Sequence, residues 1–420
     1  MDKFVIRGGR KLRGTVAISG AKNATLALMP AALLARGTFR FTNTPVLRDV
    51  ATMSGLLTSM GVQIELKEHV LKIDTTGVNK QEAPYEFVKK MRASIYVLGP
   101  LVARFGNARV SLPGGCAWGP RPVNLHIEGI RKLGADVEVK RGYIVARARK
   151  LTGAKIHFDV SSVGATGNVL MAAVLAKGAT TIENAAIEPE ITALAGFLQS
   201  MGAIIEGVGS NHLEIEGVDE LHPADVETIP DRIEAGTFLV AAAITGGKVT
   251  LEGVRPDQFT AVSAKLEDAG CTISAGESSV TLEAPSPVKP VDVTASIYPG
   301  FPTDMQAQWI ALMSIANGTS IVADTIYFDR FKHVPELVRL GADIEMKENA
   351  AVVRGVRQLT GAKVMSTDLR ASASLILAGL VADGLTEVLR VYHIDRGYEA
   401  IEKKLRVLGA DIERVSGEEF

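Results

Sequence analysis

Apolar and polar positions follow two regimes along this chain, and the change from one to the other repeats. Six times an amphipathic stretch ends at a glycine and gives way to a segment in which apolar and polar residues alternate. The glycines lie 68 to 73 residues apart, at Gly61, Gly134, Gly202, Gly270, Gly341 and Gly409. A period of about 3.6 that becomes a period of two after a glycine predicts a helix, a left-handed cap and a strand.

A second and far more apolar stretch precedes each amphipathic one and ends at its own glycine. These stretches are 24–36, 93–105, 165–177, 233–245, 305–317 and 371–383. A helix that is apolar all round is typical of a buried helix. Short strands are predicted after them, at 38–42, 109–112, 180–183, 248–252, 320–323 and 386–390. Six such strand-and-helix units predict an α/β protein of two three-unit domains, with an even split near 227–231.

Composition adds limits to this picture. A chain of 420 residues exceeds one ordinary core, which agrees with two domains. It has 47% apolar and 22% charged residues, no apolar run long enough to span a membrane and no signal-peptide pattern, so we expect a cytoplasmic protein. A net charge of −1 disfavours nucleic-acid binding. Two cysteines and seven scattered histidines show no metal-ligand spacing, so no metal is expected.

Equivalent positions in the six units indicate anion binding. Fourteen residues before the glycine of each apolar helix stand Asn23, Arg92, Gly164, Arg232, Asp304 and Arg370. A cation at a helix N-terminus is unfavourable unless an anion is shared there, so the three arginines of this set are predicted to bind anions. Three further arginines recur thirteen residues before the other glycines, namely Arg48, Arg121 and Arg396.

The stretch 113–122 contains three glycines and three prolines around Cys116, and it predicts a loop. Arg121 and the helix that Pro122 is predicted to open would supply positive potential, which lowers a thiol pKa. The loop thus fits a reactive cysteine, and it fits an ordinary glycine-rich turn equally well. Cys271 stands where other units have alanine, so a packed thiol is expected. His126 and His333 are expected on polar helix faces.

Seven segments together resemble a known family. They are Ile18-Ser-Gly-Ala-Lys-Asn-Ala24, Lys90-Met-Arg-Ala-Ser94, Leu112-Pro-Gly-Gly-Cys116, Ile229-Pro-Asp-Arg232, Phe301-Pro-Thr-Asp304, Thr367-Asp-Leu-Arg370 and Tyr392-His-Ile-Asp-Arg396. The chain resembles, from end to end, the UDP-N-acetylglucosamine 1-carboxyvinyltransferases of the enolpyruvyl transferase family. The resemblance implies transfer of enolpyruvate from phosphoenolpyruvate to the 3′-hydroxyl of UDP-N-acetylglucosamine, with release of phosphate, in peptidoglycan synthesis.

The same resemblance implies a fold and its domain bounds. We expect a two-domain inside-out α/β barrel with six pseudo-symmetric repeats, three in each domain, buried helices inside and sheets outside. One domain is expected at 22–229 and carries a lid loop at 112–121, and the other combines 1–21 with 230–420. The active site is expected in the cleft between the domains.

Residue roles carry over from the resemblance to matching positions. The phosphoenolpyruvate contacts it implies are Lys22, Asn23, Arg92, Arg121, Arg370 and Arg396. Asp304 is implied as the general base on the sugar hydroxyl, and Cys116 as a general acid that also adds covalently to phosphoenolpyruvate; Lys22 and Arg396 complete the catalytic set. The implied nucleotide-sugar contacts are Arg121, Pro122, Val123, Asn124, Leu125, Ser162, Val163, Gly164 and Ile326. Arg232 and Arg330 are predicted to bind substrate as well.

One position departs from the commoner pattern of the family. Asn124 stands where aspartate is usual, and an amide both donates and accepts hydrogen bonds, so the uracil contact is expected to be reorganised. The expected partners are the two substrates alone, with no cofactor, metal, nucleic acid or membrane. Two alternatives stay open: the shikimate-pathway enolpyruvyl transferase, and a non-catalytic nucleotide-sugar-binding paralogue.

Overall fold

A computed structural model describes residues 2–112 and 123–416. The chain divides into two compact units, and we call Gly20–Ile229 the first unit and Met1–Ser19 with Pro230–Phe420 the second unit. Each unit contains three four-stranded sheets and three pairs of helices. The six predicted repeats are therefore confirmed, as an α/β fold whose sheets stay separate among the described residues rather than closing into one barrel.

The inner helices, as we call them, are the buried ones that the apolar stretches predicted. Their bounds are Lys22–Ala31 extended by the 3-10 turn Ala32–Leu34, Leu98–Phe105 after the 3-10 turn Arg92–Val97, Val163–Ala173, Arg232–Ile244, Gln306–Met313 after the 3-10 turn Thr303–Met305, and Leu369–Gly379. The second of them begins later than the predicted 93–105, and Pro100, which lacks an N–H, lies in its first turn, where proline is well tolerated. The α-helix begins at Leu98.

The outer helices correspond to the amphipathic stretches, and each ends just before one of the six regularly spaced glycines. They are Arg48–Ser59, Asn124–Lys132, Pro189–Ser200, Thr260–Asp268 after the 3-10 turn Pro256–Phe259, Val334–Arg339, and Ile401–Val407 after the 3-10 turn Val391–Arg396; a short helix, Tyr85–Val88, lies outside the pattern. The glycines themselves have φ between 89° and 105°. Only glycine takes this conformation without strain, so the predicted caps are confirmed.

Each sheet repeats one strand order, in which the strand after the inner helix lies between a parallel edge strand and a pair of mutually antiparallel strands. In the first unit the sheets are 226–227/38–42/70–74/63–67, 82–83/107–111/143–147/136–140 and 155–157/179–183/212–216/204–206. In the second unit they are 13–17/248–252/279–283/272–275, 293–295/319–324/350–354/343–347 and 363–365/385–389/2–7/411–416. The strand Asp2–Arg7 thus lies inside the last sheet, paired with strands from the other end of the chain.

The sheets pack against the inner helices within each unit. Leu98–Phe105 contacts the strands Asn107–Ser111 and Tyr143–Arg147, and Gln306–Met313 contacts Thr319–Asp324 and Ala350–Arg354 in the same way. In the second of these helices every residue from Gln306 to Met313 is buried. The apolar stretches therefore mark the centre of each unit, which leaves the N-terminal ends of the inner helices as places where polar side chains gather.

Candidate active site

In the first unit, the candidate residues lie at the start of the three inner helices. Lys22 begins the first of them, and its Nζ lies 3.5 Å from Oδ2 of Asp49 near the start of the adjoining outer helix. Both side chains are largely buried, so the ammonium group has a fixed position beside Asn23. Arg92 begins the 3-10 turn before the second inner helix, and Ser162 caps the third by accepting a bond from the Ala165 N–H at 3.3 Å.

A buried histidine lies against Gly164, in an environment that the pattern of residues did not predict. His126 is 2% exposed rather than on a polar face as expected, because its ring packs into the first unit beside Asn168. The Asn168 amide is oriented by two other bonds, to the Gly99 N–H and the Ile95 carbonyl, so its Nδ2 donates to Nδ1 of His126 at 2.9 Å. The imidazole proton therefore resides on Nε2.

Burial and the nearby Arg92 guanidinium lower the pKa of His126 to about 3, so the ring is neutral at physiological pH. A Cβ atom placed on Gly164 would lie 3.0 Å from Cε1 and 3.1 Å from Nε2 of this ring. A methyl group at Gly164 would thus be crowded against the His126 ring, which would have to shift by a few tenths of an ångström. Val163 is held in the same region, since the Tyr96 hydroxyl donates to its carbonyl oxygen at 3.4 Å.

We expect Gly164→Ala to lower the free energy of unfolding by about 1–3 kcal/mol, because the new methyl group would overpack against the His126 ring. Gly196, within the outer helix Pro189–Ser200, is the matched control, since a Cβ there would meet nothing within 4 Å. Gly196→Ala should raise stability by about 0.4–1 kcal/mol. Urea unfolding of both variants tests this, and equal effects at the two positions would contradict it.

In the second unit, Asp304 is held between two arginines. Its Oδ1 accepts from Arg330 Nη2 and its Oδ2 from Arg370 Nη2, both at 2.6 Å. The side chains of Arg330 and Arg370 are 11% and 6% exposed, against 24% for Asp304. The carboxylate is therefore fixed in direction by two largely buried cations, while part of its surface remains open to solvent. The predicted residues Asp304, Arg330 and Arg370 are brought together here.

Arg370 is anchored from behind by a buried polar network. Its Nη1 donates to the Tyr398 hydroxyl at 3.1 Å, and this hydroxyl also lies 2.8 Å from Thr237 Oγ1 and 3.2 Å from Gln308 Nε2. Burial alone would lower the pKa of the Arg370 guanidinium, but the Asp304 carboxylate raises it. Two carboxylates lie at this helix N-terminus: Asp368 accepts the N–H groups of Arg370 and Ala371 at 2.8 and 3.1 Å, and Asp304 binds the Arg370 guanidinium.

Arg330 is positioned by the loop that follows the strand Thr319–Asp324. Its Nη1 donates to Thr303 Oγ1 at 2.9 Å, and that hydroxyl donates to Asp324 Oδ2 at 2.6 Å. The other oxygen of Asp324 accepts the backbone N–H groups of Ile326 and Tyr327 at 2.9 and 2.8 Å. Asp324, which is fully buried and which the sequence did not suggest, thus links the predicted residues Ile326 and Arg330.

Arg232 and Arg396, the other two predicted arginines of the second unit, have different local environments. Arg232 begins an inner helix capped by Asp231, which accepts from the N–H groups of Ile233 and Glu234 at 2.8 and 3.0 Å. Its guanidinium carbon lies 5.4 Å from the centre of the Tyr298 ring, within the range of a cation–π contact. Arg396 is half-buried at the end of the 3-10 turn Val391–Arg396.

Several predicted residues complete the account. Cys116, Arg121 and Pro122 lie outside the described residues. Val123 immediately precedes the outer helix Asn124–Lys132, where Asn124 is exposed and Leu125 half-buried.

His333, expected on a polar face, is 1% exposed because it lies between Phe331 and the charged groups of Arg330 and Asp368. Burial lowers the pKa of His333 to about 4, so this ring is neutral too.

Cys271 is buried, as its alignment with alanine predicts, and is 6% exposed. Burial raises the pKa of its thiol to about 11, and the thiolate is the reactive form. We therefore expect iodoacetamide at pH 8 to leave Cys271 unmodified in the native protein and to modify it in urea. Peptide mass spectrometry measures this, and extensive native labelling of Cys271 would contradict its buried position.

Within 2–112 and 123–416, no three His, Cys, Asp or Glu side chains are grouped so that they could hold a metal ion. A search of the same residues for a helix long and apolar enough to cross a membrane also found none.

Comparison with known proteins finds relatives that match this chain over nearly its whole length. Residues 6–405 match the family of EPSP synthase (3-phosphoshikimate 1-carboxyvinyltransferase). The UDP-N-acetylglucosamine 1-carboxyvinyltransferases of Chloroherpeton thalassium and Chlorobium limicola are 60% and 59% identical, over the whole of this chain and 99% and 100% of theirs. The enolpyruvyl transferase NikO from Streptomyces tendae has a similar structure, with a TM-score of 0.90 at 26% identity over 99% of both chains.

A more distant structure shares the fold alone: EPSP synthase from Acinetobacter baumannii, with a TM-score of 0.75 at 20% identity over 99% of this chain and 100% of that one. The chain therefore belongs to the enolpyruvyl transferase family. Its relatives at 56–60% identity over its full length are named UDP-N-acetylglucosamine 1-carboxyvinyltransferase, so the resemblance found in the sequence is confirmed.

Proposed function

We propose that this protein transfers enolpyruvate from phosphoenolpyruvate to the 3′-hydroxyl of UDP-N-acetylglucosamine with release of phosphate. The observation that carries the proposal is Asp304, a partly exposed carboxylate oriented by Arg330 and Arg370 through bonds of 2.6 Å. A base that is fixed in direction and still accessible fits removal of a proton from a bound hydroxyl. The names of the full-length relatives supply the acceptor, UDP-N-acetylglucosamine, and the carboxyvinyl group that is transferred.

The proposed reaction is an addition followed by an elimination. An acid, for which we propose Cys116, donates a proton to the methylene carbon of phosphoenolpyruvate as the 3′-oxygen bonds to its central carbon and Asp304 accepts the hydroxyl proton. The methyl group of this adduct then returns a proton to the Cys116 thiolate as the bond between the central carbon and the phosphate oxygen breaks. These two steps release inorganic phosphate and leave an enolpyruvyl ether on the sugar.

Phosphoenolpyruvate is a trianion, so its binding site needs cations to neutralise its charge. We propose that Lys22, Asn23, Arg92, Arg121, Arg370 and Arg396 bind its phosphate and carboxylate. The fixed position of Lys22 beside Asp49 and the buried network behind Arg370 support this role, because ordered cations lose little entropy when an anion binds. The reaction requires no redox step.

We propose that the nucleotide sugar contacts Arg121, Pro122, Val123, Asn124, Leu125, Ser162, Val163, Gly164 and Ile326, with Arg232 and Arg330 as further substrate contacts. The bare backbone at Gly164 and the exposed amide of Asn124 support this set.

We also propose that the two domains are 22–229, with a lid at 112–121, and 1–21 with 230–420. Peptidoglycan synthesis in the cytoplasm is the proposed cellular role.

A coupled assay of phosphate release tests the proposed acceptor. We expect turnover of phosphoenolpyruvate with UDP-N-acetylglucosamine and none with shikimate 3-phosphate. Turnover with shikimate 3-phosphate alone would favour the shikimate-pathway activity. Binding of the nucleotide sugar without any turnover would favour a non-catalytic paralogue.

A further inference from the structure

A cavity of about 600 Å³ lies in the first unit, at the ends of the inner helices opposite Lys22, Arg92 and Val163. Its lining includes Leu34, Phe105 and Leu175, at or just beyond the C-terminal ends of the three inner helices of this unit. All its lining residues belong to Gly20–Ile229. Its volume is in the range of small-molecule sites, which is about 300–1,000 Å³. None of the residues predicted from the sequence to bind substrate lines it.

Four cations surround this cavity: Arg36, Arg104, Arg149 and Lys150. Within the part of the chain that the structure describes, none of the four has a carboxylate within salt-bridge distance. A concave surface with several unneutralised cations attracts anions more strongly than scattered surface charges do.

Arg104 fixes one of these cations in place. Its Nη1 donates to the backbone oxygens of Leu33 and Ala35, both at 2.8 Å, and its guanidinium packs 4.8 Å from the Phe105 ring centre. Burial and the like charge of Arg36 lower the pKa of the Arg104 guanidinium. Attraction to an anion near both guanidinium groups would offset the repulsion between them, so the pair favours an anionic occupant.

The rest of the cavity lining includes acidic and apolar residues. Asp219 and Glu220 are exposed at the cavity and form no salt bridge within the described residues. Carboxylates accept hydrogen bonds from hydroxyl groups and repel a second anionic group. Leu221 and Pro223 provide apolar surface beside them. A ligand that satisfies both parts has an anionic end and a neutral body with several hydroxyl groups.

We propose that this cavity binds a sugar phosphate, with its phosphate among Arg36, Arg104, Arg149 and Lys150 and its hydroxyl groups toward Asp219 and Glu220. A guanidinium group can donate two parallel hydrogen bonds to two oxygens of one phosphate. The cavity volume accommodates a hexose phosphate. The site is separate from the residues proposed for catalysis. It is tested by binding alone, so its failure and that of the proposed activity are distinguishable.

Isothermal titration with glucose 6-phosphate tests the site. The triple variant Arg36→Ala, Arg149→Ala and Lys150→Ala keeps Arg104, which binds the helix end, and should raise the Kd at least about 10-fold. The matched control removes three exposed cations of the first unit that do not line the cavity, Arg40→Ala, Lys67→Ala and Lys140→Ala, and should leave the Kd within about twofold. An unchanged Kd in the cavity variant, or no binding up to about 10 mM, overturns the proposal.

Three further ligands test its chemistry. Glucose should not bind, and inorganic phosphate should bind more weakly than glucose 6-phosphate, because each retains only one half of the contacts. Equal affinity for phosphate and glucose 6-phosphate would overturn the role of Asp219 and Glu220. Tighter binding of AMP than of glucose 6-phosphate would overturn the assignment to a sugar phosphate in favour of a nucleotide. Turnover without added ligand should be the same in the cavity variant and the control.

Discussion

Replacing Asp304 with asparagine is expected to lower kcat by about 10²–10⁴-fold, the usual contribution of a general base. The amide keeps the shape of the carboxylate and its oxygen accepts from one arginine, but it cannot take the proton of the 3′-hydroxyl. It also removes the charge that pairs with Arg330 and Arg370, whose side chains are 11% and 6% exposed. Steady-state phosphate release with both substrates at saturation measures the effect.

The control for this substitution is Asp329→Asn. Asp329 lies near Arg330 in sequence, but its side chain is 76% exposed and 4.0 Å from Lys332. Its replacement should leave kcat within about twofold, since exposed ion pairs contribute little. A kcat for Asp304→Asn within the same twofold range, with an unfolding curve showing a folded variant, would remove Asp304 from the role of base.

Replacing Lys404 with methionine is expected to lower the free energy of unfolding by about 3–5 kcal/mol at neutral pH, because it leaves a buried carboxylate without its partner. Lys404 Nζ lies 2.7 Å from both Glu234 Oε1 and Ser19 Oγ, and Glu234 Oε2 accepts the Ser19 N–H at 2.7 Å. The Glu234 side chain is 2% exposed. Urea unfolding at pH 7.5 measures the loss.

The pH dependence of this variant has a definite sign. Burial raises the pKa of Glu234, and Lys404 opposes that rise, so removing Lys404 raises the pKa further. The folded variant then binds a proton that the unfolded chain releases, and its stability falls as pH rises above the ordinary glutamate pKa. The deficit relative to wild type should therefore shrink as the pH falls toward that value.

Lys265→Met is the matched control, since its partner Asp268 lies 3.4 Å away with a side chain that is 60% exposed. The expected change in stability is below about 1 kcal/mol. A pH-independent loss in the Lys404 variant would mean that packing of the lysine stem, rather than the charge of Glu234, accounts for it.

Local rules were sufficient for most of the repeat. The left-handed glycines and the all-apolar helices follow from backbone geometry and burial within a few residues, so Gly134 and the strand at 248–252 could be predicted directly. The edge strands could not, because strands such as Val226–Glu227 are two residues long and pair with a strand from the other end of the unit.

The candidate site, too, could be predicted from the sequence only in part. The position of Arg370 at a helix N-terminus predicted an anion nearby. Nothing in the local sequence showed that its guanidinium pairs with Asp304, 66 residues away. Asp324 and the burial of His126 depend on contacts between elements, for which a single sequence carries no periodic signal. Residue roles came from the family resemblance rather than from spacing.

The strand Asp2–Arg7, with Phe4 opposite both Val388 and Arg414, has a consequence for biosynthesis. It leaves the ribosome long before both of its neighbours, the strands 385–389 and 411–416. The sheets of Gly20–Ile229 contain only residues from that continuous stretch, so this unit is able to fold while the rest of the chain is being made. The last sheet of the second unit closes only once 411–416 has been made, and until then Phe4 and Ile6 lack the packed sheet in which they are buried.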